Sequence, residues 1–268
     1  IYTLSLHDAL PILVITMNIH FIVAPSTHLR PLMMALNEQH HITTLPEELS
    51  SETHYVIADP HLSPTHPDLL LAQNLGLSPI SPNAFLYEYF KNKTRVVLSG
   101  DKGKKECLAR VLHTMDFYNQ PLSYCLETPI NGKQVHFVDT EFVLFEGDDN
   151  SAALHPTIAL ITNIDNKKVE EYHNFIESIT KGGILIYNEE DEALKTLVEN
   201  NERAIRKMEY RTPLFETHNG ETFLITPEGE LPLGDTSATQ ISYIEAAKWV
   251  CQNMGIDEAD FYEAMVSF

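Results

Sequence analysis

Basic side chains are scarce in this chain: Lys and Arg total 18 against 38 Asp and Glu, a formal net charge of -20. So acidic a surface repels phosphates, which argues against nucleic acid or an anionic membrane as a partner. The same charge also favours solubility. Cysteine is equally sparse. Cys107, Cys125 and Cys251 lie far apart with no CxxC pair, so neither a zinc site nor a disulfide framework is expected, and a reducing cytoplasm fits. No apolar run approaches the roughly 20 residues needed to cross a bilayer, and no basic segment precedes an apolar stretch to make a signal peptide. Among 13 histidines there is no HxxxH or HExxH spacing, so His54, His61 and His66, close to prolines, are read as loop residues rather than metal ligands. Internal repeats and low-complexity tracts are also missing. What remains is a globular composition, 43% hydrophobic over 268 residues, enough for one large or two ordinary domains.

The two ends read differently from the rest. IYTLSLHDALPI, Ile1 to Ile12, resembles a translated sequencing-library adapter and joins MNIHFI with no turn chemistry between them. Residues 1–16 are therefore expected to be non-native, with Met17 as the native start. At the other end the chain stops at Phe268 without a polar tail, an end that reads as cut.

From Asn18 short apolar strands alternate with helices. NIHFIVA is a strand, and Leu29, Leu32, Met33 and Leu36 fall at helical spacing after it. Ile42 to Thr44 and YVIAD follow as strands, DLLLAQNLGL as a helix ended by Gly76, and NAFLYEYFK as another helix. Such alternation predicts an α/β fold with a parallel sheet. NKT, Asn92 to Thr94, marks the joint to a second unit. That unit begins with RVVLS, a glycine loop and a helix from about Lys105 to Tyr118. It continues through QVHFV, EFVLFEGDD, TIALITNI, a helix over Tyr172 to Ile179, and KGGILIYNEEDEALKTLVE, where Asn188 is placed as a helix N-cap. ETFLITPEGELPL reads as a hairpin turning at PEG, and Ile241 to Met254 and Asp257 to Val266 as helices joined at Gly255.

RVVLSGDKGKKEC, Arg95 to Cys107, carries the chemistry. A β-branched run stops at Gly100, Gly103 follows three residues later, and Lys104 comes next. A loop of this kind holds nucleotide phosphates with backbone N-H groups and the lysine, while a Ser or Thr after the lysine ligates Mg2+. Here that position is Lys105, whose ammonium has no lone pair for a metal. The same residues also suit an ordinary strand-turn-helix joint. Glu146, at a strand end with Asp148 and Asp149 behind it, suits an ordinary acidic strand-end turn. Cys107, one turn into the helix, reads as a buried small hydrophobe.

MNIHFI, LLLAQNLGL, FLYEYFKNKTRVVLSG, FVLFEGDD, ITKGGILIYNEED, TPEGELPL and AAKWVCQNMGIDEADFYEAMVSF, in that order, resemble the Mur ligases. They are most similar to UDP-N-acetylmuramate ligases that add L-alanine or recycled murein peptide, across Met17 to Phe268. The resemblance implies a Rossmann-like UDP-sugar domain over 17–91 and a P-loop-type central ATPase domain over 92–268, with the C-terminal domain that brings the amine absent. It implies ATP and Mg2+ as cofactors, a nucleotide or UDP-sugar ligand, and amide formation through an acyl phosphate. Gly100, Gly103 and Lys104 match the family's ATP loop, and Glu146 its Mg2+-binding glutamate.

Elsewhere the family's polar residues are replaced. Pro25 and Ser26 stand in its glycine-rich UDP-diphosphate turn. Lys105 and Glu106 replace two threonines, and Lys167 with Lys168 replaces an Asp-His pair whose histidine holds a second metal. Thr239, Gln240 and Tyr243 replace polar residues on the adenine-contacting helix, whereas the matching Ala246 and Ala247 are kept. Two readings follow: a catalytically degenerate paralogue acting in binding or regulation, or an active ligase that holds phosphate with Lys102, Lys104 and Lys105 in place of one metal.

Overall fold

The computed structural model describes residues 16–24, 27–148, 150–165, 167–227, 229–234 and 236–268. The chain divides into two compact units, Ile1–Phe85 and Leu86–Phe268. The adapter-like segment lies outside the described residues.

In the first unit, strands β1 (Asn18–Ile22), β2 (His41–Thr43) and β3 (Tyr55–Ala58) form a parallel sheet in the order β2-β1-β3, with helices α1 (Arg30–Asn37) and α2 (Pro67–Asn74) in the connections. β1 is buried along nearly its whole length, as a central parallel strand must be when both its faces are covered. The expected periodicity of α1 holds at Leu29, Leu32 and Leu36, which are buried, while Met33 is half-buried. Gly76 ends α2 with φ +74°, a backbone angle that costs glycine little because it has no Cβ. Helix α3 (Pro82–Tyr89) contains the division between the units.

The second unit is built on a seven-stranded sheet. Its members are β4 (Thr94–Ser99), β5 (Ser123–Ile130), β6 (Lys133–His136), β7 (Phe142–Glu146), β8 (Ile158–Ile161), β9 (Ile184–Asn188) and β10 (Arg206–Tyr210), in the order β10-β9-β8-β4-β7-β5-β6. All pairings are parallel except β5 with β6. Helix α4 (Lys104–Phe117) follows β4, α5 (Val169–Ser178) follows β8, and α6 (Glu192–Glu199) follows β9. β11 (Phe215–His218), β12 (Glu221–Thr226) and β13 (Gly229–Gly234) make a separate antiparallel sheet that contains the expected hairpin. Helices α7 (Ala238–Asn253) and α8 (Glu258–Met265) close the chain around Gly255.

One expectation fails. The N-cap of α6 is Asp191, whose carboxylate accepts from Leu194 N-H at 2.9 Å. Asn188 instead accepts from Glu190 N-H at 3.0 Å, a side-chain turn that ends β9. The helix starts three positions later than the asparagine suggested, because a better acceptor stands there.

The sheet order fixes where chemistry can occur. β4 lies between β7 and β8, and the chain leaves β4 to one side and later returns on the other. In open parallel sheets the crevice at such a reversal, beyond the carboxyl ends of the strands, is the usual ligand position. Gly100, Glu146 and Thr162 all stand at those ends.

Candidate functional site

The loop between β4 and α4 is held by its own protein. Gly100 has φ +132° and Gly103, the N-cap of α4, has φ +82°. A Cβ at Gly100 would overlap the Thr162 hydroxyl, and one at Gly103 would overlap the Tyr243 ring. Both positions therefore need glycine for conformation and for close approach. Thr162 Oγ1 donates to Lys102 O at 2.6 Å, and Lys102 N-H donates to Asn163 Oδ1 at 2.9 Å. The Tyr172 hydroxyl lies 3.4 Å from Asp101 Oδ1.

Lys104 points back toward the strand ends. Its Nζ donates to Gly147 O at 2.5 Å and to Glu127 Oε2 at 3.4 Å, and stands 3.8 Å from Glu146 Oε1. Burial, with Glu146 and Asp148 adding to it, raises the Glu127 carboxyl above the ordinary carboxylate range, while Lys104 opposes the shift. The Glu146 side chain is fully buried. Its Oε2 accepts from Glu127 N-H at 3.0 Å and Thr128 N-H at 3.4 Å, whereas Oε1 has no hydrogen-bond donor.

A cleft of about 230 Å3 opens beside the loop, lined among others by Ser99, Gly100, Lys104, Gly147, Lys168 and Tyr172. Lys168 Nζ lies 3.9 Å from Glu171 Oε2. Lys105, Glu106 and Lys167 are exposed. Among the described residues no group of three His, Cys, Asp or Glu side chains is placed to hold a metal ion.

The residues singled out in sequence thus converge in part. Gly100, Gly103, Lys104 and Glu146 come together at the sheet's carboxyl edge, with Lys168 across the cleft. Pro25, Ser26 and Asp149 lie outside the described residues. Thr239 is exposed, and Gln240 completes a capping box with Ser237, accepting from Ser237 N-H at 3.3 Å while its own N-H bonds the serine hydroxyl at 3.4 Å. Cys107 is fully buried, and desolvation pushes its thiol far above the ordinary range, the reverse of an activated nucleophile. Glu127, Thr162, Asn163, Tyr172 and the ring of Tyr243 complete the site. Thr162 and Asn163 had one sequence signal, their place at the end of an apolar strand.

No protein-family model matches the chain. It is 30% identical over 103 residues to a UDP-N-acetylmuramate--L-alanine ligase of Limosilactobacillus reuteri, a stretch covering 37% of this chain and 23% of that protein. It is 25% identical over 182 residues to the enzyme of the same name from Aquifex aeolicus, covering 60% and 38% respectively. The chain thus spans well under half the length of the curated relatives it matches.

Among solved structures, the UDP-N-acetylmuramate:L-alanyl-gamma-D-glutamyl-meso-diaminopimelate ligase of Neisseria meningitides aligns over 94% of this chain and 98% of its own, with TM-score 0.73 and 12% identity. The UDP-N-acetylmuramate-alanine ligase of Thermotoga maritima aligns over 94% and 68%, with TM-score 0.69 and 15% identity. These likenesses establish a shared α/β fold. With the sequence matches beside that fold, the chain is similar to the Mur ligases in fold and in part of its sequence.

Proposed function

We propose that this is a Mur-ligase-like protein related to the ATP-dependent UDP-N-acetylmuramate ligases of peptidoglycan synthesis or recycling, whose nucleotide and metal sites have decayed and which acts in binding or regulation. In this reading residues 17–91 correspond to the Rossmann-like UDP-sugar domain and 92–268 to the P-loop ATPase domain, in a cytoplasmic protein. The observation that carries it is the fate of Lys104. An ATP loop needs this ammonium on the phosphates, and here it donates to Gly147 O and Glu127 inside the protein.

The residues present do not fit Mg2+. Among the described residues Glu146 Oε1 is the one buried oxygen at the site without a donor, but a hard cation wants several oxygens at once. Lys105 stands where the ligating hydroxyl belongs, and Lys168 brings a second cation to the cleft. Two ammonium groups repel a divalent cation, and no metal-assisted step is assigned to the site.

Calorimetry of the whole chain with ATP, with and without Mg2+, tests this reading. The expected outcome is no Mg2+-dependent binding in the micromolar range. Such binding, abolished by Lys104→Ala, would show a working nucleotide site and overturn the reading.

A further inference from the structure

The small antiparallel sheet ends in an uncovered strand. β11 has β12 on one side and, among the described residues, no strand on the other, and all its side chains are exposed. Ile225 N-H donates to Leu214 O at 3.0 Å, one step beyond the pairing of Phe215 with Leu224. Antiparallel ladders alternate, so Leu214, Glu216 and His218 direct their backbone groups at β12, while Phe215 and Thr217 turn theirs outward.

An open edge invites pairing with another chain, and two other edges of this protein are blunted against it. β10 is charged at Arg206, Lys207 and Glu209. β13, the opposite edge of the small sheet, sets Pro232 across from Phe223. Phe223 bonds toward β11, so Pro232 faces outward, where it has no N-H to offer. β11 has no proline and no lysine, and apolar side chains stand beside it: Leu214 is 79% exposed and Ile225, across from it on the same face, 37%.

We propose that β11 pairs antiparallel with β11 of a second copy of this chain, about a two-fold axis at Thr217, joining the two small sheets into one. The strand is complementary to itself in this register. Thr217 N-H and O exchange hydrogen bonds with the partner's Thr217. Glu216 then stands opposite the partner's His218, and His218 opposite the partner's Glu216. Within one chain His218 Nε2 and Glu216 Oε2 already lie 2.8 Å apart, so pairing gives each carboxylate an imidazole along the strand and another across it. Leu214 comes opposite the partner's Gly220, a position with open space above it. Adjacent two-fold registers lose these pairs. Centring on Glu216 sets carboxylate against carboxylate, which is destabilising, and centring on His218 leaves Glu216 opposite a glycine. The two-fold contact is closed, so assembly stops at two copies. With so short a ladder the dimer is a weak one, dissociating at roughly 0.1 mM. The edge is separate from the β4-α4 loop, so the proposal stands whatever that loop binds.

Sedimentation velocity of the whole chain tests it, from roughly 10 µM to 1 mM protein, in about 0.15 M NaCl to screen the net charge. The expected result is a reversible monomer-dimer equilibrium. Thr217→Pro should leave only monomer, because it removes the outward N-H. That N-H takes no part in the ladder with β12, so circular dichroism of the variant should match the parent. His218→Glu, which sets carboxylates opposite one another, should weaken the dimer roughly tenfold. Adding Glu216→Lys to His218→Glu should restore it, since lysine then faces glutamate across the axis. A parent chain that stays monomeric, a dimer that survives Thr217→Pro, or a double variant no better than His218→Glu alone would each overturn the proposal.

Discussion

At the residue scale, the loop glycines show how one sequence pattern can serve two physical demands. Gly100 and Gly103 are what a phosphate cradle requires, and they are also what Thr162 and Tyr243 require, since both side chains occupy the space a Cβ would take. The first demand was legible from GDKGK. The second was not, because Thr162 and Tyr243 belong to a strand end and a helix far along the chain, and their approach exists only after the sheet has formed. Gly103→Ala separates the two. Its left-handed backbone alone costs about 1 kcal/mol, and the overlap with the ring adds roughly 1–3 kcal/mol. Urea unfolding should therefore show a loss of that size, and a double-mutant cycle with Tyr243→Ala should recover the steric part and leave the backbone part. An additive cycle would mean that the ring does not press on the glycine. Lys104 was legible as the lysine that follows Gly103 and Glu146 as an acid at a strand end, but the direction in which Lys104 turns depends on Gly147 O and Glu127. Glu127 sits on a strand whose pattern gave no warning of it.

At the element scale, legibility follows position in the sheet. β4, β8 and β9 are central, covered on both faces, and appear in sequence as continuous apolar runs. β10, RKMEY, is an edge strand with charged residues on its exposed side, a composition that blunts pairing with other chains and hides the strand from hydrophobic patterning. β5, SYCLETPI, contains Pro129, which has no N-H for the ladder, and its pairing with β6 is irregular between Cys125 and Ile130. The misplaced cap of α6 has the same origin: Asn188 and Asp191 are both good caps by type, and the choice rests on tertiary contacts. Asp191 Oδ1 accepts from Leu194 N-H, while Oδ2 accepts from Ile164 N-H at 3.2 Å, joining the helix start to the segment after β8. Asp191→Ala is expected to cost about 1–2 kcal/mol, the upper range of a cap, because a tertiary bond is lost with it. Asn188→Ala should cost less than half as much by the same denaturant measurement, and equal losses would restore Asn188 as the organising residue.

At the scale of the whole molecule, charge is the property most fully written in the sequence and least dependent on the fold. The imbalance of 38 acidic against 18 basic residues leaves 20 negative charges unmatched whatever pairs form. The pairs that do form at the surface, such as Lys91 with Glu88 at 3.2 Å and Lys93 with Asp139 at 2.7 Å, involve at least one well-exposed partner, and such pairs contribute about 0–1 kcal/mol each. Salt screens both effects, so the sign of its influence reports which is larger. Added NaCl shortens the screening length from roughly 30 Å at 0.01 M to roughly 8 Å at 0.15 M. Repulsion among unmatched carboxylates acts over that range, while contact pairs act well inside it. The thermal midpoint at pH 7 should accordingly rise by about 2–5 degrees across this interval, corresponding to roughly 1 kcal/mol. A midpoint that falls would mean that the ion pairs outweigh the repulsion and that the acidity carries no cost to folding.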